Sequence, residues 1–229
     1  MPRQVSGGDE ALNDGSRTQP VWDLPLRLFH WTLAGLIGFS WWSAENHHMD
    51  WHIWSGFGVM TLLLFRLLWG FFGSSTARFS SFVRGPSAVR DYLGGKWQGI
   101  GHNPLGALSV IAMLVVIAAQ VGLGLVAEDE DGLFAGPLAS LVSFETSAAA
   151  TEIHESLFNV ILALIALHVA AILFYRLRGQ KLIMPMITGG GEAAAGVEPM
   201  RRAKWWAALL CLAVALAVTR WVVGGAPLP

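Results

Sequence analysis

Five long apolar stretches, about 25–43, 52–72, 104–126, 153–175 and 205–223, dominate this chain. Each is close to the roughly 20 residues that a helix needs to cross a bilayer core. None alternates polar with apolar as a membrane strand would, so the pattern predicts an all-α integral membrane protein. The charges between the stretches are sorted by sign. The loop after the second carries Arg78, Arg84, Arg90 and Lys96, and the segment after the fourth carries Arg176, Arg178, Lys181, Arg201, Arg202 and Lys204. ENHHMD (45–50) and the acidic connection 127–152 contain no Lys or Arg. The positive-inside rule therefore puts the N-terminus, the 73–103 loop and the 176–204 segment in the cytoplasm, with the acidic connection and the C-terminus outside.

Two segments fall outside the apolar pattern. Residues 1–20 are polar and Gly/Ser-rich, lack the apolar run of a signal peptide, and read as a flexible cytoplasmic tail. TGGGEAAAG reads as a linker. The organisation expected is a tail 1–20, a four-helix domain 21–188, a cytoplasmic linker 189–204, and a fifth transmembrane helix with a short tail over 205–229.

Composition agrees. Of 229 residues, 54% are hydrophobic and only 14% charged, and the eleven Trp suit interfacial anchoring. The net charge of -1 says little, because the two signs are segregated, and nothing suggests nucleic-acid binding. The lone Cys211 excludes an intramolecular disulfide and any multi-cysteine metal site.

Imidazoles are costly in hydrocarbon unless something pairs with them. His154 and His168 lie fourteen residues apart in the fourth stretch, which is about 21 Å of rise and about 40° short of four turns, so they share a face at two depths. His30, near the cytoplasmic end of the first stretch, is level with His168. His52, at the outer start of the second, is level with His154. One such histidine is often only a helix–helix hydrogen-bond partner. Four in two pairs are the arrangement that holds two bis-histidine haems in a bundle. Gly56, one turn after His52, and Gly35 and Gly38 after His30 would make room for a flat ring. Arg66, fourteen residues after His52, and Arg27, one turn before His30, would pair with haem propionates; each also has a snorkelling reading.

Other polar positions read more plainly. His47 and His48 are external loop residues, although His48 and His52 at i, i+4 allow a ligand swap or a surface metal site. His102 and Asn103 before Pro104 form a helix start, with a quinone-site role for His102 as the alternative. The acidic run EDED is a solvated loop that a basic redox partner would find attractive.

Taken together, WDLPLRLFHW, H-x3-G and RLLWG, GHNPLG, and IHE…N…LHV resemble the bacterial cytochrome b-561 type family, related to the b-type subunits of nickel–iron hydrogenases and formate dehydrogenases. The resemblance covers about 21 to 188. It implies a four-helix core with two haem b groups, His30 and His168 ligating the cytoplasmic-side haem and His52 and His154 the periplasmic-side one. It also implies electron exchange with quinone, near His102, Asn103 and Arg27. The fifth helix departs from that core.

The function expected is a membrane di-haem cytochrome b of the bacterial inner membrane, part of a respiratory chain. It would carry electrons between the quinone pool and a periplasmic redox protein such as a cytochrome c, a hydrogenase or a dehydrogenase. Two other classes compete: a haem-free transporter or metal permease using membrane histidines, and a non-redox anchor subunit. A permease needs acidic, Met or Cys ligands along a polar path, and the spans offer only Gln120, Met60 and Met113, spread over two helices.

Overall fold

The computed structural model describes residues 17–97, 99–129, 131–193 and 196–226. In chain order these form β1 (Arg17–Pro20), α1 (Leu24–Glu45), α2 (Met49–Phe72), the short α3 (Phe79–Phe82) and α4 (Pro86–Leu93), α5 (Pro104–Val126), a 3-10 turn at Ala139–Leu141, α6 (Phe144–Leu177), α7 (Ile183–Thr188), β2 (Gly190–Ala193) and α8 (Trp205–Val223). Four of these helices, α2, α5, α6 and α8, are long and apolar enough to cross a membrane. α1, although 22 residues long, is less apolar, since Arg27, His30 and three Trp interrupt it. Only 11% of the most apolar window of α5 and 6% of that of α6 is buried within the molecule. So much outward-facing apolar surface would be untenable in water and suits a lipid solvent.

Local chemistry sets the helix starts. Asp23 caps α1 by accepting from Leu26 N at 2.8 Å, with Pro25 in the first turn. Asn103 caps α5 in the same way, accepting from Gly106 N at 2.7 Å ahead of Pro104. Ser143 caps α6 and starts it nine residues before the stretch expected at 153. The extra turns are ETSAAATE, polar but rich in Ala, so they are helical without being apolar. The helix is 34 residues, about 51 Å, and projects past the hydrocarbon at its acidic end. The acidic loop folds back on it: Glu128 N donates to Thr151 Oγ1 at 3.1 Å and Thr151 Oγ1 to Glu128 O at 3.0 Å.

The close pairs are α1 with α2, α5 with α6, and α2 with α8, while α2 and α5 touch over a shorter stretch. Leu26, Phe29, Leu33, Val59, Leu63, Leu114, Ile117 and Ile161 form the shared core. α1 and α6 are not among the closely packed pairs.

Two features differ from the sequence expectation. Within the segment read as a linker, Gly190–Ala193 pairs antiparallel with Arg17–Pro20, the end of the segment read as a flexible tail. Its glycines serve close approach: Gly189 has φ 89°, and a Cβ on Gly191 would lie 2.9 Å from Val21 and 3.2 Å from Pro185. The last helix is docked as well. Cys211, Ala215, Thr219 and Val222 are buried at helical spacing, and Thr219 meets Thr61 of α2 at 2.9 Å, hydroxyl to hydroxyl.

Candidate functional site

The four paired histidines meet as couples. His52 of α2 and His154 of α6 have ring centroids 5.9 Å apart, with planes at 84°. His30 of α1 and His168 of α6 have centroids 6.5 Å apart, with planes at 49°. An imidazole nitrogen sits about 2 Å from a metal it ligates and the ring centroid about 1 Å further back, so two rings on opposite sides of one metal have centroids roughly 6 Å apart. Both couples meet that spacing.

The acidic-end couple is held by backbone carbonyls. His52 Nδ1 lies 2.9 Å from Ser40 O, with Ser40 Oγ at 3.1 Å, and His154 Nδ1 lies 2.9 Å from Gln120 O. A carbonyl can only accept, so each Nδ1 donates, which leaves Nε2 as the ring nitrogen that can offer a lone pair. That is how a protein presents imidazole to a metal. Gln120 also grips the α6 backbone, its Nε2 donating to His154 O at 2.9 Å. Gly124 makes room for the ring: a Cβ there would meet His154 Cε1 at 3.0 Å.

The glycines expected to make space do face openings. A Cβ on Gly35, Gly38 or Gly56 would meet nothing within 4 Å. Gly56 shares the face of His52, so its opening lies on the histidine side of α2.

At the basic end, His30 Nδ1 is out of solvent without a hydrogen-bond partner. Arg66 is buried to 1% exposure, and neither terminal guanidinium nitrogen has a partner. Its guanidinium lies 4.8 Å from the ring centre of Phe79 and 5.8 Å from that of Phe82. A buried guanidinium with no hydrogen-bonded anion is expensive, so this site fits a ligand that brings carboxylates. Arg27 is committed differently. It donates to Ile187 O at the end of α7, beside the Trp31 Nε1 bond to Met186 O at 3.2 Å, so it pins α7.

His102 sits between Trp22 and Phe82, with ring centroids 4.6 and 4.8 Å away. Burial, then the charge of Arg66 and the neighbouring His168 and His30, push its pKa down to about 3, so it is neutral. Its Nδ1 lacks a partner. It borders a cleft of about 250 Å³ that Thr76, Arg84, Trp97 and Arg201 also line. Asn103 is engaged, its Nδ2 donating to Tyr92 Oη at 3.0 Å. Tyr92 and Tyr175 meet at 2.6 Å, and burial with that bond raises the Tyr92 pKa to about 12. His48 stays at the α1–α2 turn, against Trp51 at 4.7 Å, as a loop histidine does.

Ser40, Gly124 and Asp23 were not legible as site residues. Ser40 acts through its backbone oxygen, for which no side-chain signal exists. Gly124 had the signal of a glycine in a helical run. Asp23 accepts from Trp69 Nε1 at 3.0 Å besides capping α1, tying the start of α1 to the end of α2.

A membrane-embedded helical bundle with two histidine couples stacked along one helix defines a class, the b-type membrane cytochromes. The chain belongs to the prokaryotic cytochrome b561 family, whose model matches residues 21–189. It is a multi-pass membrane protein of a family of electron-transfer cytochromes, and membership implies haem b. No curated protein and no solved structure matches the chain significantly.

Proposed function

We propose that this chain is a di-haem cytochrome b that moves electrons between the quinone pool and a redox protein beyond its acidic end. His52 and His154 would hold one haem b and His30 and His168 the other. The observation that carries this reading is the spacing of the two couples, 5.9 and 6.5 Å between ring centroids, each right for two imidazoles across one metal. Bound haem b supplies a one-electron couple at its iron.

The residues around it have distinct tasks. Ser40 O and Gln120 O orient the acidic-end rings and raise their basicity as ligands. Arg66 would neutralise a haem propionate, and Phe79 and Phe82 exclude water from that pairing. His102 supports quinone exchange at the basic end: a neutral imidazole that lines a cleft can hydrogen-bond a quinone or quinol oxygen. Partner docking at the other end rests on the acidic connection, Glu128, Asp129, Asp131 and Glu152, whose charge suits a basic redox protein. Among the described residues no group of three or more His, Cys, Asp or Glu is placed to hold a metal ion, so no observation favours a metal permease.

The test is a pyridine haemochromogen assay on purified protein. The expected content is about two haem b per chain, falling to about one in His52→Ala or His154→Ala and again to about one in His30→Ala or His168→Ala. The two members of a couple should abolish the same component of the redox titration. Unchanged haem content in all four variants would overturn the assignment.

A further inference from the structure

At the basic end, between the C-terminal turns of α2 and the N-terminal turns of α8, runs a trough of about 460 Å³ that the haem reading does not use. Its rim is cationic: Arg78, Arg202 and Lys204 line it, and among the described residues no carboxylate does. Its floor is apolar and descends along both helices through Phe72, Leu210 and Val214. Phe72 and Leu210 are 62% and 58% exposed, so the protein itself leaves this floor uncovered. The rim is ordered. Arg78 Nε donates to Gly73 O at 2.8 Å, which fixes the arginine while leaving its terminal nitrogens for a ligand, and Lys204 Nζ stands 6.0 Å over the Trp206 ring. The backbone beneath is tied down too, since Ala203 N donates to Ser74 Oγ at 3.0 Å.

We infer that this trough binds an anionic glycerophospholipid, its phosphate among Arg78, Arg202 and Lys204 and an acyl chain along Phe72, Leu210 and Val214. Charge complementarity selects the head, because three cations without a carboxylate favour a net-negative lipid over a zwitterionic one. The apolar floor selects a lipid over a free anion, because inorganic phosphate has nothing to bury there. The site lies on the seam between α2 and α8, so an occupant bridges the last helix to the bundle.

Native mass spectrometry of the full-length protein in detergent with equal phosphatidylglycerol and phosphatidylcholine tests this. Wild type should retain phosphatidylglycerol preferentially. The Arg202→Gln/Lys204→Gln variant should lose that preference by a factor on the order of ten, as expected for two cations near a lipid phosphate. Arg84→Gln/Arg201→Gln removes two cations of the same end that line the other cleft, and should leave the preference intact. Leu210→Trp, which fills an exposed floor position without changing charge, should reduce lipid retention. Added inorganic phosphate should not displace the lipid. Equal retention of the two lipids, a preference that survives Arg202→Gln/Lys204→Gln, or displacement by phosphate alone would each overturn the proposal. So would a two-chain species that forms only when lipid is absent, which would make the trough an interface between copies.

Discussion

Asp23 concentrates several tasks in one carboxylate. It caps α1 through Leu26 N, accepts from the indole of Trp69, which is 1% exposed, and its charge reaches Arg66. Asp23→Ala removes a cap worth about 1 kcal/mol and strands a buried indole N–H at a cost of about 1–3 kcal/mol, so unfolding in detergent should lose roughly 2–4 kcal/mol of stability. Asp23→Asn keeps an acceptor for the cap and should lose less. His102 makes a pH prediction. In the unfolded chain an imidazole titrates near 6.5, while in the fold burial and neighbouring positive charge hold it near 3. Below pH 6.5 the unfolded chain therefore takes a proton that the folded one refuses, and stability falls with pH from there toward 3; above 6.5 the residue contributes no slope. His102→Phe should flatten that acid limb, read as the unfolding midpoint against pH beside wild type.

At the scale of elements, α6 is the backbone of the site, since it supplies one imidazole to each couple. Its periodicity was readable because two histidines at i, i+14 fall on one face whatever surrounds them. Its true start was not, because the ETSAAATE turns are helical by propensity and capping while hydropathy registers only apolarity. α8 raises the opposite case. An apolar run announces a helix but not its neighbour, and a polar bond to α2 pairs residues 158 positions apart, Thr61 and Thr219. A double-mutant cycle of Thr61→Val and Thr219→Val should show a coupling of about 0.6 kcal/mol, the usual size for such a bond between membrane helices. Zero coupling would mean that this hydroxyl pair contributes nothing to holding α8 beyond the packing around Cys211 and Ala215.

For the whole molecule, the segregation of charge predicts an orientation that labelling can read. Leu133, in the acidic connection, is 75% exposed, and Leu93, at the basic end, is 72% exposed, while the native Cys211 is buried at 5% and gives little background. A membrane-impermeant maleimide should label Leu133→Cys in intact cells and Leu93→Cys only after the cells are opened. The reverse pattern would invert the molecule and, with it, the side proposed for the redox partner.

Hydropathy, charge sign and helical period are properties of neighbouring residues, so the chain alone determined the apolar helices, the matching depths of His30 with His168 and His52 with His154, and the family. Nothing local distinguishes a glycine that loosens a segment from one that admits close approach, and TGGGE proved to be the second kind only when Gly191 met Val21 and Pro185. In the same way, the carbonyls that set the proton on His52 and His154, the separate duties of Arg27 and Arg66, and the cationic trough beside α8 depend on groups distant in sequence. Tertiary structure decided these, because a hydrogen bond or an unpaired charge is defined by what lies across the gap.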